Sequence, residues 1–174
     1  MNKDSLVLIG FMGCGKTTFG NWLAKEHGYT FVDTDQLIEE QQNRTINDIF
    51  AAEGEEYFRD LETGMAESLS LRSDKIVVSV GGGLPVRPVN RALLRQTGRV
   101  VYLKTGIDEL ERRLKGDTKR PLLAGGNVRE KIENLMEQRE DIYTDAADII
   151  VDTSGRSFQQ IYNEILRLIK ALEV

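Results

Sequence analysis

One stretch near the start of the chain decides its fold: Gly10-Phe11-Met12-Gly13-Cys14-Gly15-Lys16-Thr17. It fits the pattern G-x4-G-K-[ST] at every fixed position, after an apolar run and before an amphipathic stretch. The glycines let the backbone curl until its N–H groups converge, and the helix that follows adds the positive end of its dipole. The stretch therefore predicts a phosphate-binding loop between a buried strand and a helix.

Two side chains of this loop point to phosphate and metal chemistry. Lys16 is expected to reach the β- and γ-phosphates as a point charge, and the hydroxyl of Thr17 to bind Mg²⁺. Cys14 is expected to be a small filler at an unconstrained position. The alternative for Cys14 is a thiol whose pKa is lowered by the helix N-terminus, so that its alkylation would block nucleotide binding.

Outward from this loop, short apolar runs alternate with longer amphipathic stretches. The apolar runs predict five strands, at 6–9, 29–32, 76–80, 100–103 and 149–151. The amphipathic stretches predict helices at 17–27, 34–41, 46–52, 55–69, 88–96, 107–115, 128–143 and 158–172. Because strands and helices alternate and the strands are continuously apolar, we predict an α/β fold with a parallel sheet covered by helices on both faces.

The composition narrows the classes of function. The 174 residues favour a single domain, 1–174, and the net charge of −5 argues against a nonspecific nucleic-acid binder or a polybasic membrane-surface protein. The single histidine, His27, excludes a multi-histidine zinc site, and the single cysteine excludes an internal disulfide. The chemistry must therefore come from carboxylates, lysine, arginine, hydroxyls and backbone amides.

The sequence also carries expectations about location and assembly. No run approaches the roughly 18 apolar residues that span a membrane, and the first residues lack the features of a signal peptide. A single cysteine fits a reducing compartment. We expect a cytoplasmic protein and a monomer, with small-molecule substrates and no nucleic-acid or membrane partner.

Two carboxylates follow the second predicted strand, in Asp33-Thr34-Asp35. Ligands of open parallel sheets bind beyond the carboxyl ends of the strands, which places both carboxylates near the phosphate-binding loop. Because they are two residues apart on an extended segment, we expect them to face the same way. One would lie near Mg²⁺, and the other would hold or deprotonate a substrate hydroxyl. Alternatively, one of them merely caps the next helix.

Three glycines, Gly81, Gly82 and Gly83, directly follow the third strand. A tight turn needs only one glycine, so three indicate that the backbone approaches something closely there. Arg59 and Arg139 each lie on a predicted helix. From their positions alone, both are expected to be ordinary solvated charges.

Helical periodicity stops at 116–126, a polar segment that holds Lys119 and Arg120 between glycines. In a phosphotransferase, a flexible basic loop suggests a lid that closes on the phosphates, excludes water and brings an arginine to the transferred group. The alternative is a plain surface loop.

In their order along the chain, these features resemble the shikimate kinase family, small P-loop kinases of the nucleoside-monophosphate-kinase-like group. The resemblance runs from Leu6 to the last helix. It rests on eight patterns taken together: GFMGCGKTT at 10–18, FVDTD at 31–35, FR-x-x-E at 58–62, GGG at 81–83, NRALL at 90–94, RPLL at 120–123, R-x-x-x-Y at 139–143 and ADIIVDT at 147–153. Two positions depart from the family pattern: Cys14, where Ser or Ala is commoner, and Leu84, where many relatives have a small residue.

The resemblance implies a three-layer α/β sandwich whose sheet has the strand order 2-3-1-4-5. Within it, a substrate-binding helical segment would lie at 34–69 and a lid at 116–126. The implied reaction is ATP-dependent phosphorylation of the 3-hydroxyl of shikimate, with Mg²⁺ as cofactor, in aromatic amino-acid biosynthesis. Two alternatives remain: another small-molecule kinase of the group, acting on gluconate or a nucleotide, and a non-catalytic nucleotide-binding relative.

The resemblance also implies roles for individual residues. Contacts to ATP are implied for Gly13, Cys14, Gly15, Lys16, Thr17, Thr18, Arg113, Arg120 and Arg156, with Arg113 and Arg156 near adenine. Contacts to shikimate are implied for Asp35, Arg59, Gly81, Gly82, Gly83 and Arg139, with the two arginines on the carboxylate. The implied catalytic residues are Lys16, Asp33, the candidate base Asp35 and the lid arginine Arg120. The metal would be bound by Thr17 and, through water, by Asp33.

Overall fold

A parallel sheet of five strands runs through the computed structural model, which describes residues 4–117 and 123–174. The strands are β1 Leu6–Ile9, β2 Thr30–Asp33, β3 Ile76–Ser79, β4 Arg99–Lys104 and β5 Ile149–Asp152. They lie in the order β2-β3-β1-β4-β5, and every neighbouring pair is parallel. The predicted fold class, strand order and strands are confirmed, with boundaries that differ by at most one residue.

The central strands are covered on both faces. Every residue of β1 and β3 is buried. The helices that pack against the sheet are α1 Lys16–His27 on β1 to β3, α4 Pro88–Thr97 and α6 Val128–Ala146 on β4, and α7 Phe158–Leu172 on β5. Continuously apolar strands need such cover on both faces, so the sheet forms the middle of three layers.

The remaining helices are α2 Thr34–Gln42, α3 Ile46–Ser70 and α5 Ile107–Leu114, and a short 3-10 turn, Leu84–Val86, follows β3. Among the described residues, no helix combines the length and the apolar character needed to cross a membrane.

The two helices predicted at 46–52 and 55–69 both form, as the two segments of α3, which are joined at a kink. Gly54 has φ 83° and ψ 177°, which lies outside the helical region, and it kinks α3 between the two predicted segments. The first part of α3 begins at the N-cap Thr45, whose side chain accepts a hydrogen bond from the backbone N–H of Asp48. A glycine in the left-handed region therefore redirects the chain without a separating loop.

The parallel topology positions the functional segments. The carboxyl ends of β1, β2 and β3 meet at one edge of the sheet, because the three strands are adjacent and parallel. The segments that follow them, 10–15, 34–35 and 80–83, are thereby gathered at this edge.

Two glycines give opposite predictions about stability. An added Cβ on Gly98, just before β4, would lie 2.5 Å from the carbonyl oxygen of Ser5, whereas on Gly64, at an exposed position of α3, it would meet nothing within 4 Å. We expect Gly98→Ala to lower the free energy of unfolding by about 2 kcal/mol through overpacking. Gly64→Ala should raise it by about 0.5–1 kcal/mol, because alanine is the better helix former. Urea denaturation measures both, and shifts of the same sign would contradict the described packing.

Candidate active site

A cavity of about 590 Å³ opens at the carboxyl edge of the sheet. Its walls come chiefly from the phosphate-binding loop, the start of α2 and the segment after β3. It gathers many of the residues singled out from the sequence, namely Gly13, Cys14, Gly15, Lys16, Thr17, Thr18, Asp33, Asp35, Gly81, Gly82, Arg113 and Arg156. Gly83, Arg59 and Arg139 do not line this cavity and belong to a buried charged cluster beside it, described below.

The phosphate-binding loop has the curled backbone that its glycines allow. Gly10, Gly13 and Gly15 have positive φ angles of 147°, 79° and 95°. Lys16 is buried, and its Nζ donates to the carbonyl oxygens of Gly10 at 2.9 Å and Phe11 at 3.0 Å. The ammonium group therefore lies within the curl of the loop, held by the loop's own carbonyl oxygens.

Cys14 belongs to this loop, and the residue is buried, with 4% of its surface exposed. Its Sγ lies 3.7 Å from Nζ of Lys16. An added Cβ on Gly10 would come within 2.9 Å of the same sulfur. The position therefore suits a small side chain, in agreement with the filler role expected for Cys14.

Three oxygen-bearing side chains meet at the start of α1. Oγ1 of Thr17 donates to Oδ2 of Asp33 at 2.8 Å and lies 3.2 Å from Oγ of Ser79. The described residues contain no cluster of three or more His, Cys, Asp or Glu side chains that could hold a metal ion. Hydroxyl and carboxylate oxygens beside a phosphate-binding loop nevertheless fit Mg²⁺, which keeps several waters and takes few protein ligands.

Ser79 is a candidate that reasoning from the sequence missed. It lies opposite Asp33 in the register of β2 and β3, and it is the hydroxyl residue that ends the buried strand Ile76–Ser79. A polar residue that interrupts an apolar run, two positions before three glycines, is a signal that could have identified it.

The two aspartates line the cavity, but the backbone that carries them differs from the predicted extended segment. Oδ1 of Asp33 accepts a hydrogen bond from the backbone N–H of Gln36 at 3.1 Å and thereby caps α2. The helix begins at Thr34, so Asp35 lies in its first turn and not on an extended segment. The predicted strand geometry is therefore wrong at this point, although both side chains line the cavity. Asp33 serves as a helix cap and as the partner of Thr17 at the same time.

Charged side chains lie directly against the backbone of 81–83. An added Cβ on Gly81 would lie 2.6 Å from Oδ1 of Asp35 and 3.0 Å from Oε1 of Glu62. On Gly83 it would lie 2.5 Å from Nη1 of Arg59. The close approach predicted from the three glycines is therefore confirmed, and the groups that approach are a carboxylate pair and a guanidinium.

Arg59 and Glu62 form a buried ion pair on α3. Nη1 of Arg59 donates to Oε2 of Glu62 at 2.7 Å, and Nη2 donates to Oε1 of Glu55 at 3.0 Å. Arg59 is 8% exposed and Glu62 is 1% exposed, so the expectation that Arg59 is a solvated charge is wrong. Burial raises the pKa of Glu62 to about 7 against the opposing effect of Arg59, and the charge of Asp35 raises it further.

Glu62 was also missed as a candidate, although it belongs to the FR-x-x-E pattern. Its spacing of three residues from Arg59 places both side chains on one face of α3. The spacing alone would have suggested an exposed ion pair of little consequence. The burial of the pair depends on the approach of 81–83, which no local pattern in α3 encodes.

Arg139 on α6 is buried too, so the expectation of a solvated charge is wrong for it as well. Its Nη1 has no hydrogen-bond partner among the described residues, and neither has Oε1 of Glu62. The charge of Arg139 lowers the pKa of Glu62. A buried guanidinium with an unsatisfied donor is suited to binding an anion.

The other predicted basic residues differ in placement. Nη1 of Arg113 donates to the carbonyl oxygen of Gly13 at 3.1 Å, and its Nε donates to Glu109 at 2.7 Å. Arg156 is exposed after β5 and lines the same cavity. The predicted lid residues Lys119 and Arg120 lie outside the described residues.

Comparisons of the sequence and of the structure with known proteins both match the same family. Residues 12–170 match the family model described as shikimate kinase. The chain is 45% identical over 166 residues to the shikimate kinase of Persephonella marina, covering 95% of this chain and 99% of that protein. The structure of a shikimate kinase from Acinetobacter baumannii in complex with shikimate superimposes with a TM-score of 0.91 at 36% identity, covering 98% of this chain and 94% of that one.

A solved structure of lower sequence identity shares the fold of this chain, and this similarity shows nothing beyond the fold. A gluconokinase structure from Sinorhizobium meliloti superimposes with a TM-score of 0.59 at 20% identity, covering 97% of this chain and 92% of that one.

The buried carboxyl of Glu62 predicts a pH dependence of stability. Its pKa is about 7 in the folded chain, against an ordinary value of 4.5, so folding favours the protonated form. The contribution of Glu62 to the free energy of unfolding is therefore fully present below about pH 4.5 and is lost as the pH rises through about 7. Urea denaturation between about pH 5 and pH 8 should show a smaller fall for Glu62→Gln than for the wild type.

The matched control is Glu55→Gln, which removes the other carboxylate beside Arg59 at a half-exposed position. This variant should keep the fall in stability seen in the wild type. Identical pH profiles for Glu62→Gln and the wild type would contradict the raised pKa.

Proposed function

The chain belongs to the shikimate kinase family, and from this premise we infer that it transfers the γ-phosphoryl group of ATP to the 3-hydroxyl of shikimate. The products are shikimate 3-phosphate and ADP. The observation that best supports this acceptor is the buried guanidinium of Arg139, whose Nη1 has no hydrogen-bond partner among the described residues and which lies on the helix that contacts 81–83 through Tyr143. An acceptor with one carboxylate and several hydroxyls suits guanidinium groups on one side and the carboxylate of Asp35 on the other.

Arg59 and Arg139 would bind the carboxylate of shikimate. A guanidinium group has five N–H donors in a planar fork that matches a carboxylate. Arg59 uses two of its N–H groups on Glu62 and Glu55, which leaves donors for a ligand. The segment 81–83 would pack against the ring of the substrate, and Gly81 and Gly82 line the cavity.

Asp35 would hold the hydroxyls of shikimate. Its side chain lines the cavity that the phosphate-binding loop also lines, and Oδ1 lies against the backbone of Gly81. A carboxylate at this place accepts a hydrogen bond from the 3-hydroxyl, turns the oxygen toward the γ-phosphate and is the candidate base for its proton.

ATP would bind along the phosphate-binding loop. The backbone of 13–18 would surround the phosphates, and Nζ of Lys16 would exchange the carbonyl oxygens of Gly10 and Phe11 for phosphate oxygens. Arg113 and Arg156 would lie near adenine. From the lid at 116–126, Arg120 would reach the transferred group.

The oxygen cluster at the start of α1 would hold the metal ion. Thr17 would bind Mg²⁺ directly, Asp33 would bind it through water, and Ser79 lies beside them. When bound, Mg²⁺ supplies neutralisation of the charge on the β- and γ-phosphates.

In phosphoryl transfer, the protein acts mainly by positioning the two reactants and by neutralising the negative charge of the phosphates. The 3-oxygen of shikimate forms a bond to the γ-phosphorus while the bond from that phosphorus to the bridging oxygen of ADP breaks. The proton of the hydroxyl passes to Asp35 or to water. Lysine, arginine and carboxylate side chains are sufficient for these steps, so a chain with one histidine can perform them.

We also propose that the chain works as a single domain and as a monomer in the cytoplasm, without nucleic-acid or membrane partners. The net charge of −5 supports the absence of binding to polyphosphate backbones or anionic lipid surfaces. The single cysteine supports a reducing compartment. The monomeric state stays a prediction.

A substrate panel tests the proposed reaction. We expect ADP release, followed by a coupled assay at fixed ATP and Mg²⁺, to be fastest with shikimate. Faster turnover of gluconate or of a nucleoside monophosphate would identify a different kinase of the group. Binding of ATP with no product from any of the acceptors would identify a non-catalytic relative.

Removal of Mg²⁺ by a chelator should abolish turnover.

Replacement of Arg139 tests the carboxylate site. Arg139→Ala removes a buried charged donor, so the KM for shikimate should rise ~100-fold while the KM for ATP stays within about twofold. Steady-state kinetics with each substrate varied in turn gives both constants. The control is Arg167→Ala on α7, whose side chain is 65% exposed and pairs with Glu164, and which should leave both constants unchanged. Wild-type affinity for shikimate in Arg139→Ala would remove Arg139 from the site.

A further inference from the structure

Tyr143 is a buried hydroxyl residue to which the proposed mechanism assigns no role. It lies on α6 four residues after Arg139, and the residue is 0% exposed. Its Oη donates a hydrogen bond to the carbonyl oxygen of Gly82, the central residue of 81–83. The side chain of Tyr143 is thus hydrogen-bonded to the same segment that lies against Asp35, Glu62 and Arg59.

Gly82 lies between α6 and the phosphate-binding loop. An added Cβ on Gly82 would lie 3.5 Å from Oη of Tyr143, 3.3 Å from the backbone nitrogen of Met12 and 3.5 Å from the carbonyl oxygen of Gly10. The space that a side chain at Gly82 would occupy is therefore bounded both by the loop that would hold ATP and by the hydroxyl of Tyr143. A shift of Gly82 would change the distance between the two halves of the site.

We propose that Tyr143 is a positioning residue for the acceptor substrate. Its hydroxyl holds Gly82, and this fixes the backbone of 81–83 relative to Arg139 on the same helix and to the phosphate-binding loop. The inference rests on the proposed function, because it assigns 81–83 to the face that receives shikimate.

The protonation of the Tyr143 hydroxyl is consistent with its role as a hydrogen-bond donor to Gly82. Burial raises the pKa of Tyr143 to about 12, although the nearby Arg139 lowers it. The O–H group therefore stays protonated over the working pH range and can always donate to Gly82. The bond in turn satisfies the carbonyl oxygen of Gly82 at a partly buried place, where an unpaired acceptor carries a cost.

Tyr102 on β4 provides a matched comparison. Its ring packs against the ring of Tyr143 with centroids 5.3 Å apart, and the residue is 1% exposed. Its own Oη has no hydrogen-bond partner among the described residues. The two neighbouring buried tyrosines therefore differ in their bonding: the hydroxyl of Tyr143 bonds to Gly82 and is also paired with Arg139, whereas that of Tyr102 has no partner among the described residues.

The experiment removes each hydroxyl in turn. Tyr143→Phe should raise the KM for shikimate about 10-fold, the cost of one buried hydrogen bond and its orphaned acceptor, with the KM for ATP and kcat within about twofold. Tyr102→Phe should leave all three constants within about twofold. An unchanged KM for shikimate in Tyr143→Phe, or equal rises in both KM values, would overturn the inference.

A second measurement tests the same contact without any substrate. The backbone N–H of Leu84 donates to the carbonyl oxygen of Gly81 at 3.0 Å and reports on the order of this segment. Its hydrogen exchange should be faster in Tyr143→Phe than in the wild type and in Tyr102→Phe. Equal exchange in all three proteins would show that Tyr143 does not hold the segment.

The two proposals fail in different ways. A wild-type protein that does not phosphorylate shikimate contradicts the proposed function, and the exchange experiment then still decides whether Tyr143 positions the segment. A wild-type protein that turns over shikimate, with no separation of the two KM values in Tyr143→Phe, contradicts the role of Tyr143 alone.

Discussion

The backbone has no room for a side chain at Gly81 and Gly83, and the rest of the site depends on this constraint. A β-carbon on Gly81 or Gly83 would lie within 2.6 Å of a charged atom of Asp35 or Arg59. Because the glycines leave this space, α2, α3 and α6 can bring carboxylate and guanidinium groups to one segment of chain. That segment directly follows β3, beside the strand that leads into the phosphate-binding loop. The proposed acceptor and donor sites thus share one sheet edge.

The electrostatics of the site follow from the same crowding. Lys16, Arg59 and Arg139 are all buried in a chain whose net charge is −5. Burying ionised groups costs several kcal/mol each unless partners compensate. Lys16 is compensated by loop carbonyl oxygens and Arg59 by Glu62, whereas Nη1 of Arg139 is not satisfied among the described residues. Anionic ligands would complete these partnerships, so the positive charge is placed where phosphate and carboxylate groups would bind.

Local patterns predicted the elements and the phosphate-binding loop well, because both depend on short-range periodicity and on residue types that favour one backbone conformation. The strand order came from the family resemblance and not from periodicity. The burial of Arg59 and Arg139 was not predictable locally, because it is caused by a segment distant in the chain. Glu62 and Tyr143 were missed for the same reason: each acts through a partner on another element or through burial by one. Ser79 was missed although a local signal, a hydroxyl that interrupts an apolar run before three glycines, was present. The helix that contains Asp35 was predicted from its periodicity, but the common facing of Asp33 and Asp35 was argued from an extended segment that the chain does not form there.

In the proposed reaction, Asp35 would present the acceptor hydroxyl to a phosphate held by the neighbouring loop. The most direct test is the turnover of ATP and shikimate by Asp35→Asn, measured together with its affinity for ATP. A general base contributes about 10²–10⁴-fold to rate, so kcat should fall by at least about 100-fold while ATP affinity stays within about twofold. Turnover near the wild-type value, or an equal loss of ATP binding, would contradict the account.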